Sequence, residues 1–160
     1  MIKIAVDAMG GDYAPYETVK GAVEAVNEKD NLIVTLVGQE PAIREELSKY
    51  EFASDRIEVV HAEDVITNDE APVLAIRRKK ESSIVVGLNL LKAQKADAFV
   101  SAGSTGAVLV GAQLIAGRIK GVERPPLAPL IPTAKGVSLL VDCGANVDAR
   151  SSHLVQFAKM

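Results

Sequence analysis

Three short polar loops hold the residue types from which chemistry could be built. The first, Asp7-Ala8-Met9-Gly10-Gly11-Asp12-Tyr13-Ala14-Pro15, sets two adjacent glycines between two carboxylates. Gly10 and Gly11 allow a sharp turn and let backbone N–H groups come close to a ligand. The competing reading is a tight turn whose aspartates bind their own N–H groups. The second loop, Ser101-Ala102-Gly103-Ser104-Thr105-Gly106-Ala107, leads flexible backbone and two hydroxyls into a predicted helix. Unpaired N–H groups and the helix dipole both favour an anion there, so this is a candidate phosphate site. Ser104 is equally suited to cap the helix, and the two roles are compatible. It is not a P-loop, since no Gly-Lys-Ser/Thr follows, and no GxGxxG dinucleotide fingerprint occurs in the chain.

The third loop, Asp142-Cys143-Gly144-Ala145-Asn146-Val147-Asp148-Ala149-Arg150, gathers two carboxylates, an amide and an arginine directly after an apolar run. Loops of that kind carry function more often than they merely connect. Cys143 is read as small packing beside a core strand rather than as a nucleophile. His153 falls near the start of the last predicted helix, where the dipole disfavours imidazolium and keeps a neutral, proton-accepting ring. A surface histidine without partners is the alternative. His61 receives no role. Arg77-Arg78-Lys79-Lys80 is either a solvated face or a docking patch for an acidic partner or anionic substrate.

The elements that must position these loops alternate in kind. Short β-branched runs at 2–7, 32–37, 57–61, 98–101 and 137–142 predict strands, and residues 127–131, fenced by prolines, predict an edge strand or rigid connector. Between them, Val19, Ala22, Val23 and Val26 follow helical spacing after Pro15. Further helices are predicted from Pro41 to Leu47, over 71–79 and 83–94, and over 104–118, the last apolar nearly all round and so buried or at a subunit contact. Strand–helix alternation predicts a parallel sheet, and ligands of such sheets sit at the strands' carboxyl ends. The three loops follow predicted strands.

Composition narrows the class. The chain has 160 residues, enough for one α/β domain spanning 1–160, with 48% hydrophobic, 24% charged and only 4% aromatic residues. An aliphatic core of that kind suits parallel strands covered on both faces. A net charge of −3 argues against general nucleic-acid binding. The single cysteine excludes an internal disulfide and multi-thiolate zinc sites and points to a reducing, cytoplasmic setting. No dedicated metal ligands and no cofactor are read. The terminal residues 151–160 form a helical pattern without a closing cap, so the natural chain is expected to continue.

Taken together and in order, residues 6–12, 77–83, 101–107 and 142–148 closely resemble the phosphate acyltransferase family, the acyl-ACP:phosphate acyltransferases of bacterial phospholipid synthesis. Gly117-Arg118-Ile119 and residues 153–158 also look like that family, and the resemblance covers essentially the whole chain. One departure is Ser104, where the family more often has Asn; another is length, since the chain resembles an amino-terminal half.

The resemblance implies a three-layer α/β/α sandwich with a mostly parallel sheet, similar to isocitrate and isopropylmalate dehydrogenases. It implies transfer of a fatty acyl group from acyl carrier protein to inorganic phosphate, a homodimer, and peripheral attachment to the membrane. On that footing Gly103, Ser104, Thr105 and Gly106 would bind phosphate, with Gly10 and Gly11 offering backbone N–H groups to phosphate or the oxyanion. Asn146 would donate to the oxyanion, His153 would protonate the leaving thiolate, and Arg77, Arg78, Lys79 and Lys80 would meet the acidic carrier. The alternatives are a phosphotransacetylase-like enzyme using acyl-CoA, or a non-catalytic anion-binding module.

Overall fold

The computed structural model describes residues 1–146 and 148–160; Val147, within the third loop motif, lies outside the described residues. The chain forms two compact units, Met1–Ala116 and Gly117–Met160.

The first unit is built on four parallel strands: β1 (Ile2–Asp7), β2 (Leu32–Gly38), β3 (Ile57–His61) and β4 (Ala98–Val100). Their order in the sheet is β3-β2-β1-β4. The chain runs outward from β1 to β3, then crosses back and sets β4 on the other side of β1. Helices α1 (Tyr16–Glu28) and α2 (Glu40–Leu47) pack on one face, and α4 (Ser83–Lys92) packs on the other. The two-residue period of the strands divides the core accordingly. Val34 and Leu36 join Val19, Ala22, Val23 and Val26 of α1, whereas Val37 and Ala5 face the opposite side. Each fully buried aliphatic side chain of this kind contributes about 1.5–3 kcal/mol. Leu36, wholly buried between sheet and helices, is a single position whose truncation to Ala would cost about 2–5 kcal/mol.

Helix α3 (Pro72–Arg78) precedes α4, whose amino terminus is capped by the Ser82 hydroxyl accepting from Val85 N–H at 3.4 Å. The apolar segment after β4 differs from the single helix its pattern predicts. It forms α5 (Thr105–Gly111) and then a π-helical turn, Ala112–Ala116, followed by Gly117 at φ 95°. Gly111 allows Leu88 to press on the helix: a Cβ there would lie 2.6 Å from Leu88 Cδ1.

The second unit departs further. The apolar run predicted as one more strand of the parallel series is β6 (Gly136–Leu139), paired antiparallel with β5 (Leu130–Thr133). The reason is local: Thr133 Oγ1 donates to Gly136 O at 3.0 Å and accepts from Lys135 N–H at 3.3 Å, while Gly136 takes φ 132°. A left-handed glycine beside a two-residue turn closes a hairpin before any crossover can form. The unit ends in α6 (Ser151–Lys159).

Candidate functional site

In the first unit the reversal of strand order falls between β1 and β4, the place where doubly wound sheets bind ligands. The loops that leave these two strands are the first two glycine-bearing loops. They are laced together. Asp7, only 1% exposed at the end of β1, accepts Met9 N–H on Oδ1 at 3.1 Å and the Ser101 hydroxyl on Oδ2 at 2.7 Å. Ser101 Oγ in turn accepts Gly103 N–H at 3.0 Å. Gly10 lies against Gly103, where a Cβ would come within 2.7 Å of Gly103 N and 2.5 Å of Asp7 Oδ2. Only glycine permits that approach. Gly11 stands beside Ala102 with φ 105°.

Ser104 does what the capping reading expected: its hydroxyl accepts Ala107 N–H at 3.3 Å, and the residue is 6% exposed. Its own hydroxyl hydrogen is left to donate. Thr105 is exposed at the first position of α5, and helix geometry leaves the N–H groups of Thr105 and Gly106 without intrahelical acceptors. Gly106 also has a packing reason, since a Cβ there would lie 2.7 Å from Pro72 Cγ of α3. A cavity of about 300 Å³ opens beside Gly10, Gly11 and Ala102, but Asp12 and Glu17 line it, which disfavours an anion on that side.

Sequence reasoning valued Asp7 only as a carboxylate at the loop mouth. Its tie to Ser101 joins residues 94 positions apart, and nothing in the local pattern signals it. His61, given no role, accepts Glu40 N–H on Nδ1 at 3.3 Å at the start of α2, with Nε2 3.1 Å from Glu63 Oε2. The four-cation run is not uniform. Lys79 turns inward to Val65 O and Glu70 Oε1, both at 2.7 Å, while Arg77, Arg78 and Lys80 stay exposed, Lys80 Nζ donating to Ile76 O at 3.2 Å.

Within the second unit, Asp142 is the hub of the third loop. It accepts Leu127 N–H at 2.7 Å, Asn146 N–H at 2.7 Å, Asn146 Nδ2 at 3.0 Å and Ala145 N–H at 3.4 Å. Burial alone would raise its pKa, but those donors overcome burial and hold the carboxyl below its ordinary value. Asn146 Nδ2 also reaches Pro125 O at 3.2 Å, so its amide hydrogens brace the loop. His153 is 4% exposed; Nδ1 accepts Arg150 N–H at 3.1 Å and Nε2 lies 3.3 Å from Glu123 Oε2. That arrangement sets the tautomer with hydrogen on Nε2. Cys143, expected as packing, is exposed instead, in the loop that follows β6 rather than beside a core strand.

The sheet order and the paired glycine loops define an open α/β domain whose two loops meet at its topological switch point. Two solved structures share this fold. A phosphotransacetylase from Streptococcus pyogenes matches with a TM-score of 0.70 at 22% identity, over 98% of this chain and 51% of that one. A phosphotransacetylase from Staphylococcus aureus matches with a TM-score of 0.67 at 22% identity, over 98% of this chain and 50% of that one.

The chain belongs to the family described as fatty acid synthesis protein, whose model matches residues 2–160. Curated relatives include a phosphate acyltransferase of Clostridium novyi (strain NT), 55% identical over 99% of this chain and 48% of that protein. Another, from Alkaliphilus oremlandii (strain OhILAs), is 55% identical over 99% of this chain and 47% of that protein. The chain thus spans about half the length of the curated relatives it matches.

Proposed function

We propose that a family-length protein built on this chain moves a fatty acyl group from acyl carrier protein to inorganic phosphate. The observation that carries this reading is the meeting of the Gly10–Gly11 and Ser101–Gly106 loops at the switch point, in a chain whose relatives are named phosphate acyltransferases. A phosphate oxygen attacks the thioester carbonyl carbon, the carbonyl oxygen takes the negative charge, and the C–S bond breaks as the thiolate leaves with the electron pair. The product is an acyl phosphate. Phosphate is already partly dianionic near neutral pH, so what the protein must supply is position and charge stabilisation.

Gly103, Ser104, Thr105 and Gly106 receive the phosphate in this scheme, with the first-turn amides of α5 and the Ser104 and Thr105 hydroxyls as donors. Gly10 and Gly11 hold the neighbouring backbone close. Asn146 remains the candidate oxyanion donor and His153, as imidazolium, the candidate proton donor to the thiolate; Asn146 must first release Asp142 or Pro125 O, and His153 must give up the Arg150 N–H on Nδ1, take a proton there from a hydrogen-bearing phosphate, and turn Nε2–H from Glu123. Arg77, Arg78 and Lys80 are the exposed members of the basic run that meet an acidic carrier in this scheme, while Lys79 is tied to Glu70. Homodimer formation and contact with a membrane surface belong to the same proposal; among the described residues no helix is long and apolar enough to cross a membrane.

The decisive assay follows thiol release from acyl carrier protein and traps the product with hydroxylamine, using the family-length Clostridium novyi relative. Alanine at the two positions that match Ser104 and Thr105 should raise KM for phosphate with little change in KM for the acyl donor. Unchanged phosphate kinetics would remove the assignment. A coenzyme A thioester as donor is the second reading, favoured by the shared fold with proteins named phosphotransacetylases. Higher kcat/KM with acyl-CoA than with the acyl carrier thioester would select it.

A further inference from the structure

Helix α3 turns one face inward and leaves the other uncovered. Ala75 and Ile76 are buried in the cluster that holds Ile84, Leu88 and Ala107. Val73 and Arg77, and likewise Leu74 and Arg78, stand four residues apart and so share the opposite face. All four are exposed, Val73 by 45% and Leu74 by 49%. Lys80, just past the helix, adds a third exposed cation, and α3 itself carries no acidic side chain. Beside Leu74 and Arg78 lies a surface depression of about 360 Å³ that Glu70 and Lys79 also line. Its one carboxylate, Glu70, is ion-paired with Lys79 at 2.7 Å, so the charge left on this face is positive.

We infer that Val73 and Leu74 anchor the docked acyl carrier protein, forming the apolar centre of a surface whose rim is Arg77, Arg78 and Lys80. This rests on the acyl-carrier reading and divides the labour within it. Rim cations steer an acidic partner and set how fast it arrives, whereas desolvated side chains at the centre set how long it stays. A small anion would use the arginines but gain nothing from two aliphatic neighbours. An anionic lipid surface would also meet the cations, yet α3 is about two turns long and offers two apolar side chains, short of the face an interfacial helix buries. Position favours the carrier as well. Pro72, at the start of α3, lies against the phosphate loop, where a Cβ on Gly106 would come 2.7 Å from Pro72 Cγ. The seven residues of α3 span about 10 Å, so the whole docking face stays within about one such length of that loop. A thioester borne on a flexible pantetheine arm needs its carrier held there, beside the loop rather than in it.

The test uses the family-length protein built on this chain and measures association and dissociation rates with the acyl carrier protein, together with steady-state kinetics. Val73→Ser/Leu74→Ser should raise the carrier's dissociation rate by at least about tenfold, at low and at raised salt alike. KM for phosphate and the melting midpoint should not move, because both side chains lie on the surface. Leu74→Met, which keeps an apolar contact, should hold the carrier as the wild type does. Arg77→Glu should instead slow association, and that loss should fade as salt rises. A wild-type dissociation rate in the double variant, a matching rise in its KM for phosphate, or loss of binding to phosphatidylglycerol vesicles in place of the carrier would each overturn docking through Val73 and Leu74 while leaving the carrier as donor. A wild-type protein that neither binds the carrier nor turns over its thioester would overturn the acyl-carrier reading and this inference with it.

Discussion

Asp7 and Ser101 stand 94 residues apart in sequence, yet the Ser101 hydroxyl donates to Asp7 Oδ2 at 2.7 Å. Through Ser101 Oγ the same contact reaches Gly103 N–H, so one buried carboxylate shapes both glycine loops. Ser101→Ala would leave Gly103 N–H and a buried carboxylate oxygen short of a partner. The expected cost is about 1–3 kcal/mol, read as a lowered urea midpoint with unchanged slope. An unaltered midpoint would mean that the loops are held by other contacts.

Gly10 and Gly21 should respond to alanine in opposite senses. At Gly10 the new Cβ would fall 2.5 Å from Asp7 Oδ2 and 2.7 Å from backbone at Gly103, so Gly10→Ala should destabilise by about 1–3 kcal/mol. At Gly21, inside α1, a Cβ meets no heavy atom within 4 Å. Gly21→Ala should therefore stabilise by about 0.5–1 kcal/mol through helix propensity. Thermal melts of the two variants check both signs.

The second unit should loosen in acid. Asp142 has a folded pKa below its ordinary value, so its contribution is fully present above the unfolded value of about 3.9 and is lost as pH falls through the folded one. Protection of the Leu127 and Asn146 amides against hydrogen exchange should fall below about pH 4. Asp142→Asn should raise those exchange rates at neutral pH and flatten the dependence; an unchanged profile would show that the carboxylate is not the hub.

Charge reversal at Arg77 and Arg78 should weaken acyl-carrier use in a family-length protein, and added salt should blunt the wild-type advantage. Lys79→Met tests a different property, because Lys79 is bound to Val65 O and Glu70. It should lower stability with little effect on carrier dependence. Equal effects from both changes would mean that the run acts through the fold alone.

Much of the first unit was readable from residue order. β1 and β3 fall where the β-branched runs predict, and the α1 core positions Val19, Ala22, Val23 and Val26 are all buried. The Ser104 cap also follows from a hydroxyl standing just ahead of an apolar run. These features depend on side-chain period and on neighbours a few residues away. The hairpin was missed because an apolar β-branched run reads alike in a parallel core strand and in an exposed antiparallel one.

Residue order alone sets polar, glycine-bearing loops after predicted strands and dictates which amides and hydroxyls they carry. The folded arrangement brings two of them into contact, because β4 inserts beside β1 rather than beside β3. It also decided that Lys79 faces inward and that Asn146 and His153 already hold partners. Local periodicity fixes which face of an element is apolar, whereas the choice of partner depends on contacts between residues far apart in the chain, which no short pattern records.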